Sequence, residues 1–245
     1  MKLHAVKEHY RYNLLELSRS PLSLVLNLAL PVMVFLVFGA GKTKLPEAAN
    51  YLTLSFMTYS VLSVVFYQFG AMVAEARGTP WVTTLRALPH GWSSYVLARI
   101  GSGLTIALLA SLGIYAAAAW STPITLSVSQ TLQALLRIVV GSLPFALLGV
   151  WITLFFSRSI AVPLSQFLYF PLCYFGGLWI PYENLPPLAQ ILSPWFPTRH
   201  YGELVWATLD SSWPYQSLGI LCGFTALVAA LIWRQLHARN ENRAD

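Results

Sequence analysis

The sequence predicts an all-α integral membrane fold with six transmembrane helices, and three observations carry that reading. Hydrophobic residues make up 56% of the 245-residue chain and charged residues only 10%, with a mean hydropathy of +0.60. Soluble domains carry about 25% charged residues. Six apolar runs approach the ~20 residues needed to cross a hydrocarbon core: residues 22–40, 51–74, 95–120, 132–156, 160–180 and 216–233. None alternates over about ten residues, as the strands of a membrane barrel would.

Charge placement predicts the orientation. With six spans both termini share one side. Putting that side in the cytoplasm gives its segments and helix ends eleven cations: Lys2, Lys7, Arg11, Arg19, Arg77, Arg86, Arg99, Arg158, Arg234, Arg239 and Arg243. Three remain outside, Lys42, Lys44 and Arg199. This positive-inside asymmetry accounts for the formal charge of +6 without a nucleic-acid partner. Arg99 is expected to snorkel to the inner surface. Arg137, about a turn and a half inside its span, is the one deep charge. Trp120, Trp179, Trp195, Trp206 and Trp213 fall at the predicted outer interface, and Trp81, Trp92 and Trp233 at the inner one.

Residues 1–20 are predicted to form an amphipathic interfacial helix. Leu3, Val6, Tyr10, Leu14 and Leu17 recur at steps of three and four, which gathers them on one face. Glu8, Arg11, Glu16 and Arg19 lie opposite, with Lys2 and Lys7 at the flanks. Such a helix lies in the inner interface until the chain turns into the membrane at Pro21. The long polar stretch before the first run does not fit a cleavable signal. Residues 21–236 are the transmembrane domain, kinked at Pro31, Pro144, Pro163 and Pro171, and residues 237–245 a cytoplasmic tail.

Two connecting segments hold helices of their own. Between spans two and three, Thr79 is expected as N-cap, Pro80 as the first helical residue, and Pro89 with Gly91 as the stop. The resulting two-turn helix projects into the cytoplasm with Trp81, Leu85 and Leu88 on one face, an apolar surface that calls for a partner. Between spans five and six, a short helix after Asn184 is expected to end at Ser193-Pro-Trp-Phe-Pro. Its Leu185, Leu188, Ile191 and Leu192 predict a re-entrant dip into the outer leaflet, where protein or a water-filled cavity must surround it.

The sequence holds little reactive chemistry. Gly39-Ala-Gly-Lys-Thr imitates the end of a phosphate-binding loop, but position 36 is Leu36 and no strand precedes it. Gly39 and Gly41 are expected to end a helix. All five histidines lie outside the six runs, which contain no carboxylate, so no catalytic or metal-binding set is predicted. Cys173 and Cys222 sit in apolar runs and read as packing residues. A pathway for amphiphilic cargo is expected along aromatic and weakly polar residues of spans two and five. Tyr59, Phe66, Tyr67 and Gln68 come from span two, and Gln166, Tyr169, Phe170, Tyr174 and Phe175 from span five.

This order of parts resembles the ABC type-2 transporter permease family along the whole chain. Glu75, Arg77, Gly78, Thr79, Leu85 and Pro89 are similar to the family's acidic-basic-Gly-Thr…Leu…Pro stretch. Phe175-Gly176-Gly177, Pro181, Leu185-Pro186 and Pro197-Thr-Arg-His-Tyr resemble its Gly-x-x-x-x-Pro…Leu-Pro…Pro-x-x-Tyr ending. Pro80-Trp81 departs from the pattern, where a leucine and an acidic residue are commoner. The resemblance implies a non-enzymatic permease subunit of an exporter in the bacterial cytoplasmic (inner) membrane. A separate ABC ATPase would hold ATP and Mg, and no cofactor would sit on this chain. A second permease copy, identical or paralogous, would complete the complex. Coupling to the ATPase would pass through Glu75, Arg77, Gly78, Thr79, Trp81, Leu85 and Leu88, which makes the projecting segment a coupling helix. The alternatives weighed are an ATP-independent channel or ion-coupled carrier, disfavoured by the lack of carboxylates in the spans, and a membrane enzyme or assembly factor, disfavoured by the lack of reactive residues there.

Overall fold

The structure, a computed structural model, describes residues 2–41, 44–66 and 79–241. Helix α1 is Lys2–Arg19, α2 is Pro21–Leu24, and a π-helical turn at Val25–Ala29 leads into α3, Leu30–Phe38. Then follow α4 (Pro46–Val65), α5 (Pro80–Ala87), α6 (Gly91–Ser121), α7 (Val128–Phe155) and α8 (Arg158–Phe175). The last three are α9 (Pro187–Leu192), α10 (Pro197–Trp206) and α11 (Tyr215–Glu241). No strand occurs among the described residues.

Among the described residues, four helices have the length and apolarity to cross a membrane: α4, α6, α7 and residues 215–235 of α11. The apolar helical stretches Asn27–Phe38 and Ser159–Phe175 are shorter. The π turn stands just before Pro31, where a proline removes one backbone donor; i→i+5 turns are rare and occur mostly as single-turn bulges inside helices. Gly39 caps α3, and Gly41 turns the chain with φ +70°, a conformation glycine adopts without strain. The expected fifth run ended at residue 180, yet α8 stops at Phe175. Gly177 there takes φ +72°, with its neighbours in turns and bends.

Helix α4 is the central post. Fourteen of its twenty residues are buried, so its hydroxyls must find partners inside. Thr53 and Thr58 donate to the carbonyls of Ala49 and Leu54 at 2.8 Å each. Ser111 of α6 donates to the Met57 carbonyl at 3.1 Å and lies 3.1 Å from Ser60 Oγ. Helix α6 packs along α4, α7 along α11, and α10 fits between α4, α7 and α11.

Helix α1 packs against the bundle. Residues Tyr10, Asn13, Leu14 and Leu17 face the bundle, and α1 packs along α6, while Leu3 is 84% exposed. Tyr10 Oη lies 2.9 Å from Thr105 Oγ1. The C-terminal part of the apolar stripe therefore rests on protein, where Gly101 leaves room for the Tyr10 ring.

Hydrogen bonds sort the connections to two ends of the bundle. Gln235 near the end of α11 donates to the Leu154 carbonyl near the end of α7 at 3.1 Å. At the opposite end Asn50, early in α4, clasps Thr125 of the α6–α7 link through Nδ2–H to Oγ1 and N–H to Oδ1, both 2.9 Å. The segment 176–214 joins this second end.

The junction of α5 and α6 is made differently from expectation. His90, not glycine, takes the left-handed conformation with φ 61°, and Gly91 opens α6 rather than stopping α5. A Cβ at Gly91 would stand 2.3 Å from the Leu85 carbonyl oxygen. Gly91→Ala must push backbone apart, and an apparent Tm in lipid should record a loss of about 1–3 kcal/mol, the range for overpacking.

Candidate functional site

Helix α5 is short, so its geometry depends on what holds it. Thr79 takes the extended N-cap backbone, Pro80 opens the helix, and Val82 N–H reaches the Thr79 carbonyl at 3.1 Å. Val82 and Leu85 are buried, whereas Trp81 is 55% and Leu88 54% exposed. The expected apolar face is thus divided. Leu85 packs inward with α5 seated on α6, leaving Trp81 and Leu88 to the surroundings. Glu75, Arg77 and Gly78 lie outside the described residues.

The base of α5 meets α1 and α6 around His9. Its ring stands edge-on to Trp81 at 6.4 Å and to Tyr95 at 6.0 Å. One turn further along α6, Arg99 is buried rather than snorkelling. Its Nη1 donates to Asn13 Oδ1 at 3.1 Å and to Glu16 Oε2 at 3.3 Å. Glu16 is largely exposed, so the chief effect of Arg99 is to satisfy the buried Asn13 Oδ1 and fix the register of α1. Arg99→Gln should loosen that seat: hydrogen exchange across residues 2–19 should rise about tenfold, the factor for a ~1.4 kcal/mol loss.

The expected pathway residues separate into two groups. Tyr59, Phe66 and Tyr169 are buried together, with Tyr59–Tyr169 centroids 5.6 Å and Phe66–Tyr169 centroids 6.4 Å apart. Trp179 closes on Tyr59 at 5.7 Å and on Phe170 at 5.9 Å. Gln166 and Phe170 point away from the bundle, and Phe167 beside them is 76% exposed. Tyr174 lies edge-on to Phe175, which stacks on Phe196 at 4.6 Å. Tyr67 and Gln68 lie outside the described residues.

The segment after α8 is tied to the fold by a series of polar contacts. Ser193 Oγ donates to the Phe175 carbonyl and Thr198 Oγ1 to the Leu172 carbonyl, each at 2.6 Å, capping the end of α8. Of the expected outer dip, Leu188 and Ile191 are exposed while Leu185 is buried. Helix α10 was not foreseen, and it is largely buried. Tyr201 fills the space over Gly141 and donates to the Ile138 carbonyl at 2.9 Å. Trp206, expected at the lipid interface, is buried instead, stacked on Tyr51 at 4.5 Å and donating to Ser55 Oγ at 2.9 Å. Arg137 reaches this segment, donating to the carbonyls of Leu204 (3.2 Å) and Ser212 (2.8 Å) beneath the Trp213 ring.

Three titratable residues of α10 stand together. Arg199 Nε donates to Glu203 Oε1 at 2.8 Å, and His200 Nδ1 lies 3.2 Å from Glu203 Oε2. Burial alone would raise the Glu203 pKa, but hydrogen bonds from His200 and Ser217 and the Arg199 charge outweigh it and hold the carboxyl at about 2. The Glu203 hydrogen bond raises the His200 pKa above 6.5 against the opposing effect of burial. The spacing i, i+1, i+4 in Arg199-His-Tyr-Gly-Glu203 was the available sequence signal, since it places Arg199 and Glu203 on one helical face. Of the two cysteines, Cys173 is buried in the core and Cys222 exposed on α11. Among the described residues no group of three or more His, Cys, Asp or Glu side chains is gathered as a metal ion would require.

A chain whose described residues form helices without strands, four of them apolar and of membrane length, is a multi-pass membrane protein. Residues 5–209, well over half the chain, match the family of ABC-2 type transporters, and the chain belongs to that family. It is also similar to the "Putative transport permease YvfS" of Bacillus subtilis (strain 168), with 27% identity over 211 residues, 84% of this chain and 86% of that protein. The chain is the membrane subunit of a transporter. The matched stretch runs from α1 through α10 and so takes in both unusual segments.

Proposed function

We propose that the chain is the permease half of an ATP-driven exporter. It moves an amphiphile, such as a drug, antibiotic, lipid or glycan, out of the cytoplasm or inner leaflet. A separate ABC ATPase binds ATP and Mg, docks on α5 and drives the spans through it. One observation carries this reading: α5 is anchored by Val82 and Leu85 while Trp81 and Leu88 stay exposed at the end of the bundle. A helix seated on α6 along one side and bare on the other transmits a push. Aromatic anchors of this kind are the usual centres of protein interfaces.

The proposed topology has six crossings with both termini in the cytoplasm of a bacterial inner membrane. Residues 21–38 form the first and α8 the fifth. The 18 residues of α8 rise only ~27 Å, just short of the ~30 Å core, and the re-entrant segment after Phe175 completes that crossing. Gln166, a polar side chain on an outward apolar face, supports a second permease copy against α8, because polar groups in lipid seek partners. Affinity purification of the tagged chain from its native membrane tests the proposal. The expected particle holds two permeases and two ABC ATPases. A single chain that moves substrate with no ATPase would overturn it.

A further inference from the structure

We propose that His200, Glu203 and Ser217 form a proton-dependent clasp that ties α10 to α11 and opens as the pH around it rises. The inference follows from counting donors and acceptors. His200 Nε2 lies 2.9 Å from the Pro194 carbonyl, which only accepts. Its Nδ1 lies 3.2 Å from Glu203 Oε2 and 3.3 Å from Ser217 Oγ. The Ser217 hydroxyl donates to the same Glu203 oxygen at 2.5 Å, so its proton is not offered to the histidine. Both ring nitrogens therefore face acceptors. Only the doubly protonated imidazolium satisfies them.

Loss of that proton leaves Nδ1 with a lone pair against a carboxylate. The neutral ring finds a donor only if the Ser217 hydroxyl turns away from Glu203, so one deprotonation removes two of the three donors that Glu203 has here. Arg199 alone remains on the carboxylate, and Arg199 is also held from the other side by the rings of Tyr182 and Trp206 at 4.6 and 5.2 Å. The other groups facing α10 do not replace the lost charge. Arg137 from α7 is bound to the Leu204 and Ser212 carbonyls, and α8 offers the Leu172 carbonyl to Thr198. From α4, Tyr51 stacks on Trp206. Because Ser217 stands in the first turn of α11 and His200 in α10, the rearrangement falls at the joint between the two helices.

The sign follows from the two shifts. His200 is held above 6.5, so its contribution is full below that value and lost as pH rises through its folded pKa. Glu203 is held at about 2 against an ordinary 4.5, so its contribution is present above the ordinary value and lost only as pH falls toward 2. The clasp is closed between those limits.

Hydrogen exchange of the full chain in lipid nanodiscs, corrected for the intrinsic pH dependence of exchange, tests the clasp without any partner or substrate. Between about pH 5.5 and pH 8.5, a range that spans histidine titration, exchange over residues 193–217 should rise several-fold as one proton is lost. In His200→Gln it should sit at the high-pH level throughout. In Glu203→Gln, which leaves an uncharged side chain in place, the midpoint should fall to the ordinary histidine value or below. A pH dependence that persists in His200→Gln, or a midpoint unmoved in Glu203→Gln, would overturn the proposal. The clasp's consequence for export rests on the function proposed above. The exchange measurement does not, so either can fail alone.

Discussion

Replacing Trp81 with alanine should weaken ATPase binding about thirtyfold, the factor for the ~2 kcal/mol that marks an interface anchor. Trp81 is half-exposed, and its ring stands edge-on to His9 at 6.4 Å. Truncation therefore opens no core cavity, and the permease should stay folded. Coupled ATP hydrolysis should fall with the binding. Trp120, 86% exposed at the end of α6 far from α5, provides the control, because its replacement removes an equal ring from the opposite end of the bundle. Affinity measured between the purified permease and its ATPase separates the two. Equal affinities for wild type and Trp81→Ala would remove α5 as the docking surface.

Tyr201→Ala carries the largest expected loss of stability, about 3–5 kcal/mol, the range for truncating a buried aromatic side chain. The ring is fully buried, lies 5.4 Å from Phe145, and occupies the place where Gly141 lacks a side chain. The hydroxyl adds a bond to the Ile138 carbonyl. Tyr201→Phe keeps the ring and should cost only about 0.5–1.5 kcal/mol. Apparent Tm in lipid, compared across the two variants, divides packing from hydrogen bonding. A Phe variant as unstable as the Ala variant would place the effect in the hydroxyl instead.

The spanning helices were legible because lipid demands long apolar runs, and α6 and α7 fall within a few residues of the runs that announced them. Pro80 and Thr79 announced α5 through their backbone preferences. What the sequence hid were contacts across the fold. The apolar stripe of α1 has the same spacing whether it covers lipid or α6. Arg99 looked like a snorkelling cation because nothing local shows Asn13 and Glu16 waiting across α1. Leu85 and Leu88 would share a face at helical spacing, yet the helix ends at Ala87 and Leu88 stands beyond it in extended backbone. Helix α10 is short and rich in polar residues, so no hydropathy signal marked it. Its place inside the bundle depends on Gly141 and Ser55, which are distant in sequence.

Site-specific photo-crosslinking in native membranes tests the central assignment most directly. A crosslinking amino acid at position 81 or 88 should capture an ABC ATPase, identified by mass spectrometry, while the same group at position 120 or 195 should capture none. Capture from position 120 or 195, or no ATPase from positions 81 and 88 in an assembled and active transporter, would contradict the assignment of α5 as the surface through which ATP hydrolysis drives this permease.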